Sequence, residues 1–305
     1  MSLTTATPGY TALREHAAWM DLSARGKIRM TGDDRVRLLH AMTTQHIQAL
    51  TPGQGCYAFF LNAQGRIQAD VNVLCFEDSL LLDTEPEQLT KIYEHLDRYI
   101  IADDVTLEDV TDVEKTVGLE GPEAAQALAR LGGPVPEEMW SHAAWGEGTV
   151  QRVPAGFRLF GAVPALTGVP EANEEEALTV RIENGRSRYG EEISDRYLVQ
   201  ETGLLHGIHF SKGCYLGQEI VERVRSRGQV HKQLRLVELD TPEVPAPGMK
   251  LTSGGSEAGE VASAAFSPAL DKTVAMAYMR TPLADVGTAV ELDGASGRVR
   301  ALPQA

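Results

Sequence analysis

Beyond residue 233 the chain stops reading as helix. Short β-prone runs recur between turns at Pro247-Gly248, Ser253-Gly254-Gly255, Asp293-Gly294 and Ser296-Gly297. Strands at that spacing predict a small β-barrel, because only closure removes their exposed edges. The shift in composition puts a boundary near 230–240, dividing the chain into residues 1–232 and a barrel over 233–305. At 305 residues the chain is long for one core, and two or three domains are expected.

Residues 26–32 alternate and end in glycine, which reads as a strand, and Asp33 or Asp34 is placed to cap a helix striped by Val36, Leu39 and Met42. Strands are predicted at 57–61 and 67–76 around the turn Asn62-Ala63-Gln64-Gly65, and at 79–83. A helix over 87–100 should turn Leu89, Ile92, Leu96 and Tyr99 inward. Strands at 105–110 and 116–119 precede a helix over 122–131. Residues 132–148, rich in Gly, Pro and Glu, read as a surface connection. Strands at 149–153 and 157–163 lead to a helix over 174–183 that stops at Asn184-Gly185, a left-handed cap. No internal repeat is legible. The mixture is α+β.

The net charge of −15 argues against a general nucleic-acid binder. No apolar run reaches the ~20 residues of a membrane span, and no secretory leader is visible at Met1-Ser2-Leu3-Thr4-Thr5. Cys56, Cys75 and Cys214 are too few and scattered for a disulfide framework, which fits a reducing cytoplasm.

Lys212-Gly213-Cys214-Tyr215-Leu216-Gly217-Gln218-Glu219 is the segment richest in chemistry. A thiol beside a lysine and just before a helix favours the thiolate. Gly213 and Gly217 leave room for close approach. A basic strip follows, with Arg223, Arg225, Arg227, Lys232 and Arg235 opposed by Glu219 and Glu222; it can receive a small anion or be a solvated face. Gly53-Gln54-Gly55-Cys56-Tyr57-Ala58 has the letters of a dinucleotide fingerprint without its strand-before, helix-after context. His206, His209 and Cys214 form one loose group, so no permanent metal site is expected. Asp70, the lone carboxylate of its strand, faces either solvent or a cleft. Glu183 opposes the dipole at its helix's C-terminus, which hints at a separate reason for its presence.

These residues resemble a known family. The octapeptide 212–219 looks like the K-G-C-[FY]-x-G-Q-E signature of the YgfZ folate-binding proteins, relatives of the glycine-cleavage T-protein, an aminomethyltransferase. The resemblance implies two ferredoxin-like halves and a C-terminal β-barrel around a central opening that holds tetrahydrofolate. It implies that Glu183, in an R-x-E-x-G segment, reads the pterin. Asp70 matches the T-protein's essential aspartate, although Ala69 replaces the acid before it, and Thr44-Gln45-His46 stands where relatives often read T-N-D. Arg223 or Arg227 would meet the glutamyl tail. The implied role is support of iron–sulfur cluster synthesis or repair through Cys214, with Lys212 stabilising its thiolate; partners would be iron–sulfur client or assembly proteins, tRNA-modifying enzymes among them. The alternative is folate-dependent one-carbon transfer with Asp70 as base and Cys214 structural. A third is a docking scaffold with folate as structural ligand.

Overall fold

The computed structural model describes residues 5–228 and 230–303; the leader reading rests largely on residues 1–4, outside that range. Helix α1 (Pro8–Glu15) and strand β1 (Ala18–Asp21) are followed by β2 (Gly26–Thr31), α2 (Arg35–Met42), β3 (Gly55–Leu61), β4 (Ile67–Cys75), β5 (Leu80–Thr84), α3 (Leu89–Tyr99) and β6 (Thr106–Asp109). Next come β7 (Thr116–Glu120), α4 (Ala124–Arg130), β8 (His142–Trp145), β9 (Gly148–Val153), β10 (Gly156–Phe160), α5 (Glu174–Glu183), α6 (Val199–Thr202) and α7 (Gln218–Arg227). The last strands are β11 (Lys232–Leu239), β12 (Lys250–Ser253), β13 (Ser256–Ser267), β14 (Lys272–Arg280), β15 (Ala289–Leu292) and β16 (Ala295–Arg300).

Two five-stranded antiparallel sheets carry the first part of the chain, in the orders β3-β4-β5-β2-β6 and β8-β9-β10-β7-β1. Four consecutive strands in each sheet share one topology, so the structure contains the repeat that the sequence hides. The difference is at the edge: β6 follows α3 in the first sheet, whereas β1, from the start of the chain, fills that place in the second. The remaining strands close a six-stranded barrel, β11-β14-β13-β12-β15-β16. This is the α+β architecture with a C-terminal barrel that the sequence implied.

The β3–β4 hairpin is buried on both faces. Cys56, Ala58 and Phe60 join Ile92 and Leu96 of α3 and Leu39 of α2 in one core, while Phe59 and Leu61 pack with Ile193, Val199, Ile208 and Val221 on the other side. Alternation along β3 produces this split. Truncating Leu96, fully buried, would cost about 2–5 kcal/mol.

Three readings need correction. Tyr99 is 43 % exposed, and at the last residue of α3 its ring meets His95 edge-on rather than the core. Asp34 precedes α2 but makes no side-chain cap; its carboxylate accepts the Asp104 amide instead. Residues 132–148 contain β8, whose hairpin with β9 turns at Gly146 with φ +62°, a two-residue turn hidden by the surrounding Gly and Pro.

A buried ion network ties the sheets together. Asp83 of β5 accepts Arg25 at 2.7 and 3.0 Å and also pairs with Arg158 of β10. Burial opposes its ionisation, yet Arg158 and Arg25 outweigh burial and hold the carboxyl below its usual range. Glu85 bridges Arg25 to Arg188, in the segment after α5.

Candidate functional site

Asp70 lies opposite Phe59 in the β3–β4 pairing, on the same face as Tyr57. The Tyr57 hydroxyl donates to Asp70 Oδ2 at 2.6 Å, and Gln88 Nε2 donates to Oδ1 at 2.8 Å. Gln88 returns its own oxygen to the Asp70 amide, and Thr84 donates to the Asp70 carbonyl, both at 2.8 Å. Backbone and side chain are thus held together. Protein surrounds the carboxyl, although the residue keeps some accessible surface. Burial pushes Asp70 above the usual carboxylate range; the Tyr57 and Gln88 bonds pull downward without cancelling it. Burial, with the Asp70 charge beside it, likewise pushes Tyr57 well above the ordinary phenol range. Its hydroxyl stays protonated and acts as donor.

An aromatic wall adjoins this pair. Trp140 stacks on His206 at 5.2 Å and lies nearly parallel to Tyr57 at 6.4 Å. Burial depresses the His206 pKa, favouring a neutral ring. Trp140 takes φ +61°, a sparsely populated conformation for a bulky residue, and among the described residues its buried Nε1 donor has no partner. Tyr189 donates to the Gln68 carbonyl at 2.9 Å, fixing the approach to Asp70 along β4. Tyr57, Gln88, Trp140 and Tyr189 carried no assigned site role in the sequence, and His206 entered it only as a member of a loose His/Cys group. Only Tyr57 carried a signal, its place across the predicted hairpin from Asp70.

Cys214 is exposed. Its segment is fastened at two points. Lys212 Nζ donates to the carbonyls of His40 and, at 2.5 Å, Thr43, at the C-terminal end of α2. A cation there satisfies carbonyls that lack helical partners. Burial lowers Lys212 to about 8, only partly countered by Cys56. Gly217, with φ +86°, is the second point: a Cβ there would fall 2.5 Å from the Asn62 carbonyl. The octapeptide therefore rests on the turn of the very hairpin that carries Tyr57 and Asp70. Tyr215 lies beneath Lys212 at 4.9 Å and its amide donates to Gln218 Oε1 at 3.2 Å. Gly213 and Glu219 are exposed. His40, His46 and His209 line the loop's inner side with ring centroids 4.9 and 5.1 Å apart.

Several of the expected site residues meet partners that the sequence did not suggest. Lys212 was read as the thiolate's counter-charge, but its ammonium points at two helix carbonyls. Glu183, expected to read the pterin, accepts Tyr10 at 2.6 Å and Arg14 at 2.5 Å and holds α1 against α5. Arg223 and Arg227 sit exposed on α7. His206 and His209 belong to separate ring clusters, and among the described residues no three His, Cys, Asp or Glu side chains converge on a metal position. Gly53–Ala58 runs into β3, as its rejection as a dinucleotide loop requires. Cys75 is core, and so is Cys56, pushed up to about 12 by burial.

Residues 5–159 match the GCVT N-terminal domain, and residues 232–304 match the glycine cleavage T-protein C-terminal barrel domain. The chain belongs to the glycine-cleavage T-protein family. Among its relatives is a chloroplastic protein of Arabidopsis thaliana provisionally named a transferase, 26% identical, with 93% of this chain and 70% of the relative aligned. The aminomethyltransferase of Streptomyces coelicolor is 28% identical over 92% of this chain and 82% of its own. The crystal structure of glycine cleavage system aminomethyltransferase T from Bartonella henselae superposes with a TM-score of 0.85 at 21% identity, covering 98% of this chain and 90% of the other. Glycine-cleavage T-proteins use tetrahydrofolate. The donor set of this T-protein relative fits such a group. Asp70 offers acceptor lone pairs to amine and N–H donors, the unpartnered Trp140 Nε1 offers a donor, and the stacked rings offer a flat wall.

Proposed function

We propose that this T-protein relative binds tetrahydrofolate against Asp70 and the Tyr57–Trp140–His206 wall, and uses Cys214 to support iron–sulfur cluster synthesis or repair, as in the YgfZ branch. The observation that carries this is the shared hairpin. The turn between β3 and β4 supports the Cys214 loop at Gly217, and the strands beyond it carry Tyr57 and Asp70. Folate occupancy and thiol accessibility are then mechanically connected.

Bound tetrahydrofolate supplies a one-carbon carrier. The chain's own residues do the rest. Asp70, oriented by Tyr57 and Gln88, accepts hydrogen bonds from the ligand. Trp140 and His206 exclude water from one face. Cys214, open to solvent, is the thiol that as thiolate attacks the outer sulfur of a persulfide on a client or assembly protein, the donor leaving as its own thiolate, or transiently holds a one-carbon or cluster-derived species. Gly213, Tyr215, Gly217, Gln218 and Glu219 shape its loop, and Lys212 latches it. We place the division of labour at residues 1–232 for folate and 233–305 for the barrel, and the protein in the cytoplasm without direct nucleic-acid partners. No described helix is long and apolar enough to cross a membrane.

The test is complementation. Cys214→Ser should fold, keep tetrahydrofolate affinity within about twofold, and fail to restore iron–sulfur enzyme activities in a strain lacking the protein. Full rescue by the serine variant removes the thiol from the mechanism.

The second reading is folate-dependent one-carbon transfer, favoured by the aminomethyltransferase relatives and by the desolvated Asp70 carboxyl, which is suited to proton transfer. Ala69, in place of an acid, weighs against it. Methylene-tetrahydrofolate formed by purified protein from aminomethyl or N-methyl donors would establish it.

A further inference from the structure

The arginines that follow the Cys214 loop have no part in the site described above. Arg223, Arg225 and Arg227 lie on α7, and all three are exposed, while Val221 is buried on the helix's inner side. Both acids of α7 are accounted for. Glu222 pairs with Arg225 at 3.4 Å. Glu219 stands in the first turn, where the helix's own N–H groups offset a negative charge. Arg223 and Arg227, four residues apart and so on one face, have no ion pair and no side-chain hydrogen bond among the described residues. The helix dipole accounts for a cation in the last turn, as at Arg227, but not for Arg223, which precedes that turn. On a chain of net charge −15, where Arg25, Arg158 and Arg181 are each held by carboxylates, two unpaired guanidiniums on one helix face stand out.

This face is tied to the thiol's loop. The Arg225 guanidinium lies 4.7 Å over the Phe210 ring, in the segment that leads into the octapeptide. The Tyr215 amide donates to Gln218, the first residue of α7, at 3.2 Å. Helix and loop are therefore held as one unit. Cys214 and Leu216 are exposed just before the helix starts, and the ten residues of α7 extend about 15 Å beyond them. Along that length the surface presents a thiol, an apolar side chain and two unpaired cations.

We propose that Cys214, Leu216, Arg223 and Arg227 form the docking surface for the protein that exchanges sulfur with Cys214, and that this partner presents an acidic segment beside its reactive sulfur. The proposal rests on the Cys214 reading above and names the partner's chemistry. The net negative charge of the chain disfavours an acidic segment over the molecule as a whole, and the α7 arginines reverse that locally. Such a field speeds and orients the encounter, and salt screens it. A protein fits this surface better than a nucleic acid, because the reacting group beside the arginines is a thiol and a long polyanion meets the chain's overall negative charge.

The experiment is stopped-flow thiol–disulfide exchange between the full-length protein and two short peptides, one rich in glutamate and one with glutamine in place of each glutamate. Each peptide carries a cysteine activated as its 2-pyridyl disulfide. The Cys214 thiolate attacks the peptide's cysteine sulfur, the S–S bond to the pyridyl group breaks, and pyridine-2-thiolate leaves and takes up a proton to become the absorbing thione. Cys56 and Cys75 are buried, and Cys214→Ser sets the baseline. The glutamate peptide should react at least about fivefold faster at low salt, and less than about twofold faster at about 0.5 M salt. Arg223→Gln/Arg227→Gln should bring the low-salt ratio below about twofold and leave the rate with the glutamine peptide unchanged. Equal rates with the unmodified protein overturn the docking surface, and so does an advantage that survives the double substitution. Binding of transfer RNA more tightly than the glutamate peptide, lost in the same variant, assigns the arginines to nucleic acid and overturns it too. Absence of reaction with either peptide overturns the Cys214 reading itself; reaction with both at equal rates overturns the docking surface alone.

Discussion

Tyr57 donates its hydroxyl to the Asp70 carboxylate at 2.6 Å, across the two strands of one hairpin. The pair couples a phenol that stays protonated to an acid whose ionisation is disfavoured by burial. Because Asp70 is raised in the folded state, its stabilising effect is complete below the unfolded value of 3.8 and is lost as pH rises through the folded value. Asp70→Asn should therefore raise the melting temperature near pH 7, by about 2–4 °C if about 1 kcal/mol is relieved. It should also weaken tetrahydrofolate binding by roughly tenfold or more, the loss of a hydrogen bond to a charged group. A melting temperature that falls at pH 7 and recovers in acid contradicts the sign.

Lys212 and Cys214 are neighbours with separate tasks. Lys212→Met should cost about 1–3 kcal/mol, because it strips the donor from the His40 and Thr43 carbonyls. Loosening of the loop should appear as faster proteolysis between residues 211 and 217. The rate of Cys214 alkylation at pH 7 should not fall. A fall of about tenfold would restore Lys212 as the thiolate's counter-charge.

Glu183 and Arg14 form a largely buried ion pair with Tyr10 as third member. Glu183→Ala leaves a guanidinium and a phenol without their acceptor and should cost about 3 kcal/mol. Hydrogen exchange should report the release of α1, while tetrahydrofolate affinity stays near that of the unmodified protein. Loss of binding with α1 still protected would return Glu183 to the ligand.

His40 is held down to about 4 by burial, with Lys212, His46 and His209 adding unfavourable positive charge. A histidine lowered on folding contributes stability above its unfolded value of 6.5 that is lost as pH falls towards 4. Denaturant titrations in that window should show a slope approaching one proton, about 1.4 kcal/mol per pH unit. His40→Asn should flatten it. A profile unchanged by the substitution would assign acid sensitivity elsewhere.

Much of the local structure was legible. Helix α5 runs from Glu174 to Glu183 as its periodicity demanded, with Asn173 completing a capping box, and Gly185 takes the left-handed φ of +60° expected of its cap. The Asp70 hairpin and the barrel followed from alternation and turn chemistry. Legibility ended where the partner was distant. Lys212 reads as the neighbour of Cys214, yet its acceptors lie 172 and 169 residues away. Glu183 reads as a misplaced helix-end acid, yet its explanation is Tyr10, 173 residues back. Trp140 sits in a Gly- and Pro-rich stretch and announces nothing until His206 stacks on it.

By itself the sequence determined most of the elements, the barrel and the wider T-protein family, because backbone preferences, turn residues and short family segments act over short spans. The tertiary structure alone decided which charges meet, that a repeat exists, and that Asp70 is desolvated while Cys214 is not. Those outcomes depend on packing between segments far apart in the chain, where burial sets the strength of every polar contact.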